Sequence, residues 1–198
     1  MYKTVELKKP TIILDLDETL IDTKEIKRRI FNLVEKTGVP RGVAVGVYRQ
    51  MRKKSAFDQR RYCFELKKTG YKVNPNLFNN LFSKPKDYNY RGAEQFLKNL
   101  SKHFNLLLLT FGVPSFQNKK IEQAGFKQFF QKVLITEQES KLDLLRTLKS
   151  GTGKIILIDN SKVSIYTAKR LNAPAILVKN RKSGVPDYRA ILTKLKEV

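Results

Sequence analysis

The 198-residue chain carries 40 Lys and Arg against 18 Asp and Glu, a formal net charge of +22, and 41% of its residues are hydrophobic. That apolar share excludes a disordered chain, and the length suits one domain with an inserted module and ample chain to bury a core. Cys63 is the only cysteine, which excludes an intrachain disulfide and a cysteine metal site; no apolar run approaches a membrane span, and Met1 to Glu6 shows no signal-peptide pattern, so the expected location is the cytoplasm.

Thr11 to Leu14 is a β-branched, apolar run of the kind that makes a buried strand. Asp15 and Asp17 follow it, separated by one residue, and on an extended chain residues two apart point to the same side. Two acids at the carboxyl edge of a sheet lie where open α/β folds bind ligands. They repel one another unless a cation or a shared proton relieves them, so the pair suggests a Mg²⁺ site, an acid/base pair, or both.

Asp22, with Glu25 three residues on, begins a helix whose inward side is Ile26, Ile30, Leu33 and Val34. Thr37-Gly38-Val39-Pro40 ends it. A second helix is expected over 43–54 and a third over 58–69, the latter with Tyr62, Cys63 and Leu66 inward. A short fourth segment after Pro75 holds Leu77, Phe78, Leu81 and Phe82. Residues 23–86 thus read as a helical module, with 17 basic residues against four acidic ones; the other 134 residues carry 23 and 14. A uniform lysine bias would not concentrate charge in this way, so an anionic partner is expected for the module, nucleic acid among the possibilities.

From Arg91 the pattern alternates. Helices are expected over 92–102, 115–124, 140–149, 161–171 and 188–196, and strands over 104–110, 133–135, 154–158 and 175–178. Such alternation argues a parallel sheet covered on both faces, a Rossmann-like α/β fold.

Asp15-Leu16-Asp17-Glu18-Thr19-Leu20, after its apolar strand, resembles the first motif of the haloacid dehalogenase-like (HAD) superfamily. Three weaker motifs of that family find matches in order: Thr110 after four leucines, Lys141 before the run Leu142, Leu144, Leu145 and Leu148, and Asp159-Asn160 after Ile155 to Ile158. Many members carry a second acid beside the last motif or four residues on, where this chain has Asn160 and Val163. The resemblance implies a catalytic core of residues 1–22 and 87–198, with 23–86 as a helical cap of the type called C1. It also implies a Mg²⁺-dependent phosphomonoester hydrolase working through an aspartyl-phosphate. Asp15 would be the nucleophile and Asp17 the general acid and base. Thr110, Phe111, Gly112 and Lys141 would hold the phosphoryl group, and Asp15, Asp17 (through its backbone carbonyl), Asp159 and Asn160 the metal. The expected substrate is a small phosphorylated metabolite or nucleotide. The alternatives are a phosphatase acting on a phosphoprotein or nucleic-acid end, and a basic nucleic-acid-binding protein with an idle HAD fold.

Other features weigh less. Ser150-Gly151-Thr152-Gly153-Lys154 precedes a strand where a phosphate loop would follow one, and reads as a helix-to-strand turn. His103 reads as structural or solvated and Cys63 as core. Arg52-Lys53-Lys54 and Arg60-Arg61 are candidates for lining an anion groove.

Overall fold

The computed structural model describes residues 9–138, 141–152 and 154–197. Five parallel strands form one sheet in the order β3-β2-β1-β4-β5, with β1 Thr11–Leu14, β2 Asn105–Phe111, β3 Lys132–Thr136, β4 Ile155–Asp159 and β5 Ala175–Leu177. The strand β1 is central, pairing Leu14 with Leu108 on one side and with Ile158 on the other. Because side chains alternate along a strand, the sheet has two apolar faces. Ile12, Leu14, Leu106, Leu108, Ile156 and Ile158 pack beneath α4 (Ala93–Ser101), α5 (Pro114–Ala124) and α8 (Tyr188–Leu195). Ile13, Leu107, Leu109 and Leu157 pack beneath α6 (Leu142–Thr152) and α7 (Lys162–Arg170). The α/β sheet covered on both faces is therefore the observed architecture. Ser140 and Gly153 lie outside the described residues, as do Met1 to Glu6; Ser150 to Thr152, read from the sequence as part of a helix-to-strand turn, belong to α6, and β4 begins at Ile155.

Between β1 and α4 the chain forms α1 (Thr23–Glu35), α2 (Arg41–Arg52), α3 (Gln59–Lys68) and a 3-10 helix, Pro75–Phe82. The Asp22 carboxylate accepts from the Glu25 N–H, as the capping pattern predicts. The fourth segment is a 3-10 helix, opened by Pro75 and by the Asn74 side chain, which accepts from the Asn76 N–H. These elements share a core in which Tyr48, Phe57, Tyr62 and Phe78 meet edge to face or tilted, and the Tyr62 hydroxyl donates to the Ala44 carbonyl at 2.8 Å. Cys63 is buried among them, and its thiol is pushed up to about 11 by that burial, with the Asp58 charge adding. The segment leaves and rejoins the sheet through two adjacent stretches: the Asp22 N–H donates to the Tyr88 carbonyl and the Tyr90 N–H to the Leu20 carbonyl. Phe116 of α5 meets Phe57 and Phe82 at ring separations of 5.0 and 5.3 Å, tying this helical group to the sheet.

Candidate active site

The register of β1 and β4 builds the centre of the site. The Asp15 N–H donates to the Ile158 carbonyl, so the ladder continues one residue past Leu14. Asp15 thus has the parity of Ile13, and Asp159 that of Leu157, on the face that α6 covers. Lys141, at the start of α6, reaches both: its ammonium donates to Asp15 Oδ1 at 2.7 Å and to Asp159 Oδ2 at 2.8 Å. All three residues are buried. Burial pushes the Asp15 carboxyl up to about 7; Lys141 opposes this, while Asp159 and Asp17 add to it. Burial also disfavours the charged Lys141, but Asp15 and Asp159 outweigh it and hold the ammonium firmly protonated.

Asp17 is placed differently from the pleat expectation. The strand has ended, and Leu16 to Ile21 form a tight turn in which the Leu16 carbonyl accepts from the Leu20 and Ile21 N–H groups and Glu18 adopts a φ of 57°. Asp17 lines the same cavity as Asp15 but has its own partners. Its Oδ1 accepts from the Thr23 hydroxyl at 2.7 Å and the Lys120 ammonium at 2.6 Å, and its Oδ2 from the Gln117 amide at 3.1 Å. Burial would raise the Asp17 carboxyl; Lys120, Thr23 and Gln117 together hold it below the usual range instead.

Gln117 and Lys120 were not among the residues singled out from the sequence. They lie on α5 three residues apart, at positions 117, 120, 121 and 124 of its inward side, where Ile121 and Ala124 are the apolar members. Polar residues in an apolar stripe were the available signal. The Gln117 amide nitrogen also lies 3.0 Å from the Thr110 hydroxyl oxygen and 2.5 Å from the Phe111 carbonyl, and its buried Oε1 has no hydrogen-bond partner. Gly112 makes room for it, since a Cβ there would stand 2.7 Å from the Gln117 side chain. Thr110 is fully buried at the end of β2 and, accepting from Gln117, keeps its own proton free to donate.

A cavity of about 610 Å³ opens over these residues. Phe111, Gly112, Lys141, Asp159 and the exposed Asn160 line it from the strand ends; Lys27, Tyr48, Arg49, Arg52 and Lys53 line it from α1, α2 and the residue after α2. Of the basic residues expected to form an anion groove, Arg52 and Lys53 are at the cavity; Lys54, Arg60 and Arg61 are not. His103 is exposed beyond the end of α4.

A hard dication fits the donors present. Asp15 and Asp159 are buried carboxylates, and three carboxylates face two lysines, which leaves room for further positive charge at the site. Among the described residues no three His, Cys, Asp or Glu side chains gather as a cage. Two carboxylates are nonetheless a sufficient protein share for Mg²⁺, which keeps waters and takes substrate oxygens.

The family model for haloacid dehalogenase-like hydrolases matches residues 9–170. No curated protein sequence matches the chain. Among solved structures, a Burkholderia xenovorans protein assigned to the haloacid dehalogenase-like hydrolases superposes with a TM-score of 0.73 at 17% identity, over 89% of this chain and 85% of that one. The L-2-haloacid dehalogenase of Xanthobacter autotrophicus gives 0.61 at 15% identity, over 89% and 80%. YfnB of Bacillus subtilis, bound to magnesium, gives 0.60 at 17% identity, over 88% and 90%. At these identities the likeness is one of fold. Among the described residues, no helix is long and apolar enough to cross a membrane.

Proposed function

We propose that this chain, which belongs to the haloacid dehalogenase-like hydrolases, is a phosphomonoester hydrolase acting through an aspartyl-phosphate on Asp15. The observation that carries the reading is the second carboxylate, Asp17, held at the cavity by Thr23, Lys120 and Gln117. The dehalogenase branch of this superfamily needs no acid at that position, whereas phosphoryl transfer needs a proton donor for the leaving oxygen.

An Asp15 oxygen attacks phosphorus as the bond from phosphorus to the ester oxygen breaks, and Asp17, ionised in the free protein, takes the proton of the monoanionic substrate and passes it to the departing oxygen. Water then attacks the phosphorus, the bond to Asp15 breaks, and Asp17 takes the water's proton, which restores both residues. The Thr110 hydroxyl and the Lys141 ammonium stabilise charge on the phosphoryl oxygens, and the backbone around Phe111 and Gly112 forms the adjoining wall. Asp15, Asp159 and the Asp17 carbonyl would hold Mg²⁺, with Asn160 beside it; the ion supplies screening between the anionic nucleophile and the anionic substrate. That YfnB is described with magnesium supports the choice of metal.

Residues 23–86 act as the cap: they leave and rejoin the sheet through one pair of adjacent stretches, and α1 and α2 form the side of the cavity away from the strands. About 610 Å³ suits a small molecule better than a protein or nucleic-acid segment. The test is phosphate release from p-nitrophenyl phosphate and a panel of natural monoesters, with Mg²⁺ and with chelator. Asp15→Asn is expected to remove turnover by a factor of at least about 10³ while the circular dichroism spectrum is kept. Release that survives either chelation or Asp15→Asn overturns the mechanism.

A further inference from the structure

The cavity has two ends of opposite character. At the strand ends, Asp15, Asp17 and Asp159 pair with Lys120 and Lys141 at short distances. At the helical end, Lys27, Arg49, Arg52 and Lys53 line the space with no acid among them. Glu18, the remaining acid that lines the cavity, is already engaged, accepting from the Lys24 N–H at 2.9 Å and from the Tyr90 hydroxyl at 3.1 Å.

Within α1 and α2 the basic residues divide by direction, although Lys36 and Lys54, just beyond the helices and off the cavity, also have no ion-pair partner among the described residues. Those of the two helices off the cavity all have carboxylate partners: Lys24 with Glu18, Arg28 and Arg29 with Glu25, and Arg41 with Glu35. Those on it do not. Lys27 and Arg49 have no ion-pair partner among the described residues, and neither does Lys53 just beyond α2. Among the described residues Arg52 donates to the Ser55 carbonyl alone, with its guanidinium 5.3 Å from the Phe111 ring centre. Tyr48 and Arg52 stand one helical turn apart, as do Arg49 and Lys53, so one side of α2 faces the cavity. Tyr48, Phe57, Phe111 and Phe116 add aromatic surface to the cavity lining.

Like charges gathered on one wall repel, and the arrangement is favourable when an anion occupies the space between them. The reacting phosphoryl group sits at Asp15, where on the proposed reading Thr110, Lys141 and Mg²⁺ serve it. From the unpaired cations at the other end we propose that the substrate carries a second anionic group, a phosphate or carboxylate, remote from the scissile phosphoryl and bound by Lys27, Arg49, Arg52 and Lys53. This rests on the phosphomonoesterase reading and narrows its substrates to small bis-anionic monoesters, away from neutral sugar monophosphates.

The experiment compares matched pairs that differ in the second charge: 3-phosphoglycerate against glycerol 3-phosphate, and adenosine 3′,5′-bisphosphate against adenosine 5′-monophosphate, with p-nitrophenyl phosphate as reference. The wild type is expected to favour the more anionic member of at least one pair by about tenfold or more in kcat/KM, through KM. That preference is expected to shrink from about 20 to about 300 mM NaCl, where charges on an open wall are screened. The double variant Arg49→Gln, Lys53→Gln is expected to bring the ratio close to one, and Arg49→Lys, Lys53→Arg to keep it. Both side chains are exposed, so their packing is not at stake. Equal turnover within both pairs, or a preference that survives the double variant, overturns the proposal while leaving the phosphatase intact. Inert p-nitrophenyl phosphate together with four inert natural esters overturns the phosphatase reading, and this one with it.

Discussion

Lys120 governs what Asp17 can do. Its side chain is 4% exposed and its ammonium lies 2.6 Å from Asp17 Oδ1, where with Thr23 and Gln117 it overcomes the burial that would otherwise protonate the carboxyl. A carboxyl held below its unfolded-state pKa contributes stability above that value and loses it as pH falls through the folded one. Lys120→Met leaves Asp17 charged beside an apolar stem, at an expected cost of about 2–4 kcal/mol near pH 7. The gap from the wild type should narrow towards about pH 4, where Asp17 freed of Lys120 takes up a proton at little cost. Urea denaturation at the two pH values checks this; an equal deficit at both would locate the effect in packing. The same variant raises the Asp17 pKa. Because Asp17 must be unprotonated to take the water's proton, the low-pH limb of kcat should move to higher pH.

At the scale of elements, what a sequence reveals depends on how local the signal is. The strands β1, β2 and β4 are uninterrupted apolar runs, and Asp15, Thr110 and Asp159 could be placed at their ends because the runs stop there. Lys141 was harder, since 40 basic residues make some lysine near any helix start unsurprising; its bridge between Asp15 and Asp159 depends on the register of two strands and on where α6 begins. Gln117 and Lys120 were missed because polar residues on a helix normally face water, and only the docking of α5 turns them inward. Asp17 reaches the cavity beside Asp15 as the spacing predicts, but through the turn at Leu16 to Ile21 with Glu18 at positive φ rather than through the pleat of a strand. Phe116, also on α5, shows how docking and site are linked. It is nearly buried, touches Phe57 and Phe82, and lines the cavity. Phe116→Ala should destabilise the protein by about 3 kcal/mol through the void it leaves. Phe64, 57% exposed on α3, provides the control, and its replacement by Ala should stay within about 0.5 kcal/mol of the wild type. Matching losses for the two would mean that the aromatic contact between α5 and the helical group carries no special weight.

Across the whole molecule the dominant fact is a net charge of +22, more than half of it within residues 23–86. Folding draws these charges together, and the ion pairs present, such as Arg28–Glu25 and Lys68–Glu65, are mostly exposed contacts of neighbouring residues that offset little of it. Self-repulsion of this kind opposes the compact state and is relieved by counterions. Raising NaCl from about 10 to about 300 mM shortens the screening length from roughly 30 to 6 Å. The folded protein should therefore gain on the order of 1 kcal/mol, a rise in Tm of about 2–4 °C for a chain of this size. A scan against NaCl, with sucrose in a parallel series to register any effect of excluded solute alone, measures it. A Tm that is flat or falling with salt would mean that the existing pairs already balance the excess. The same ions compete for Lys27, Arg49, Arg52 and Lys53 at the cavity. Salt should then stabilise the fold while weakening the binding of an anionic substrate, two responses of opposite sign from one distribution of charge.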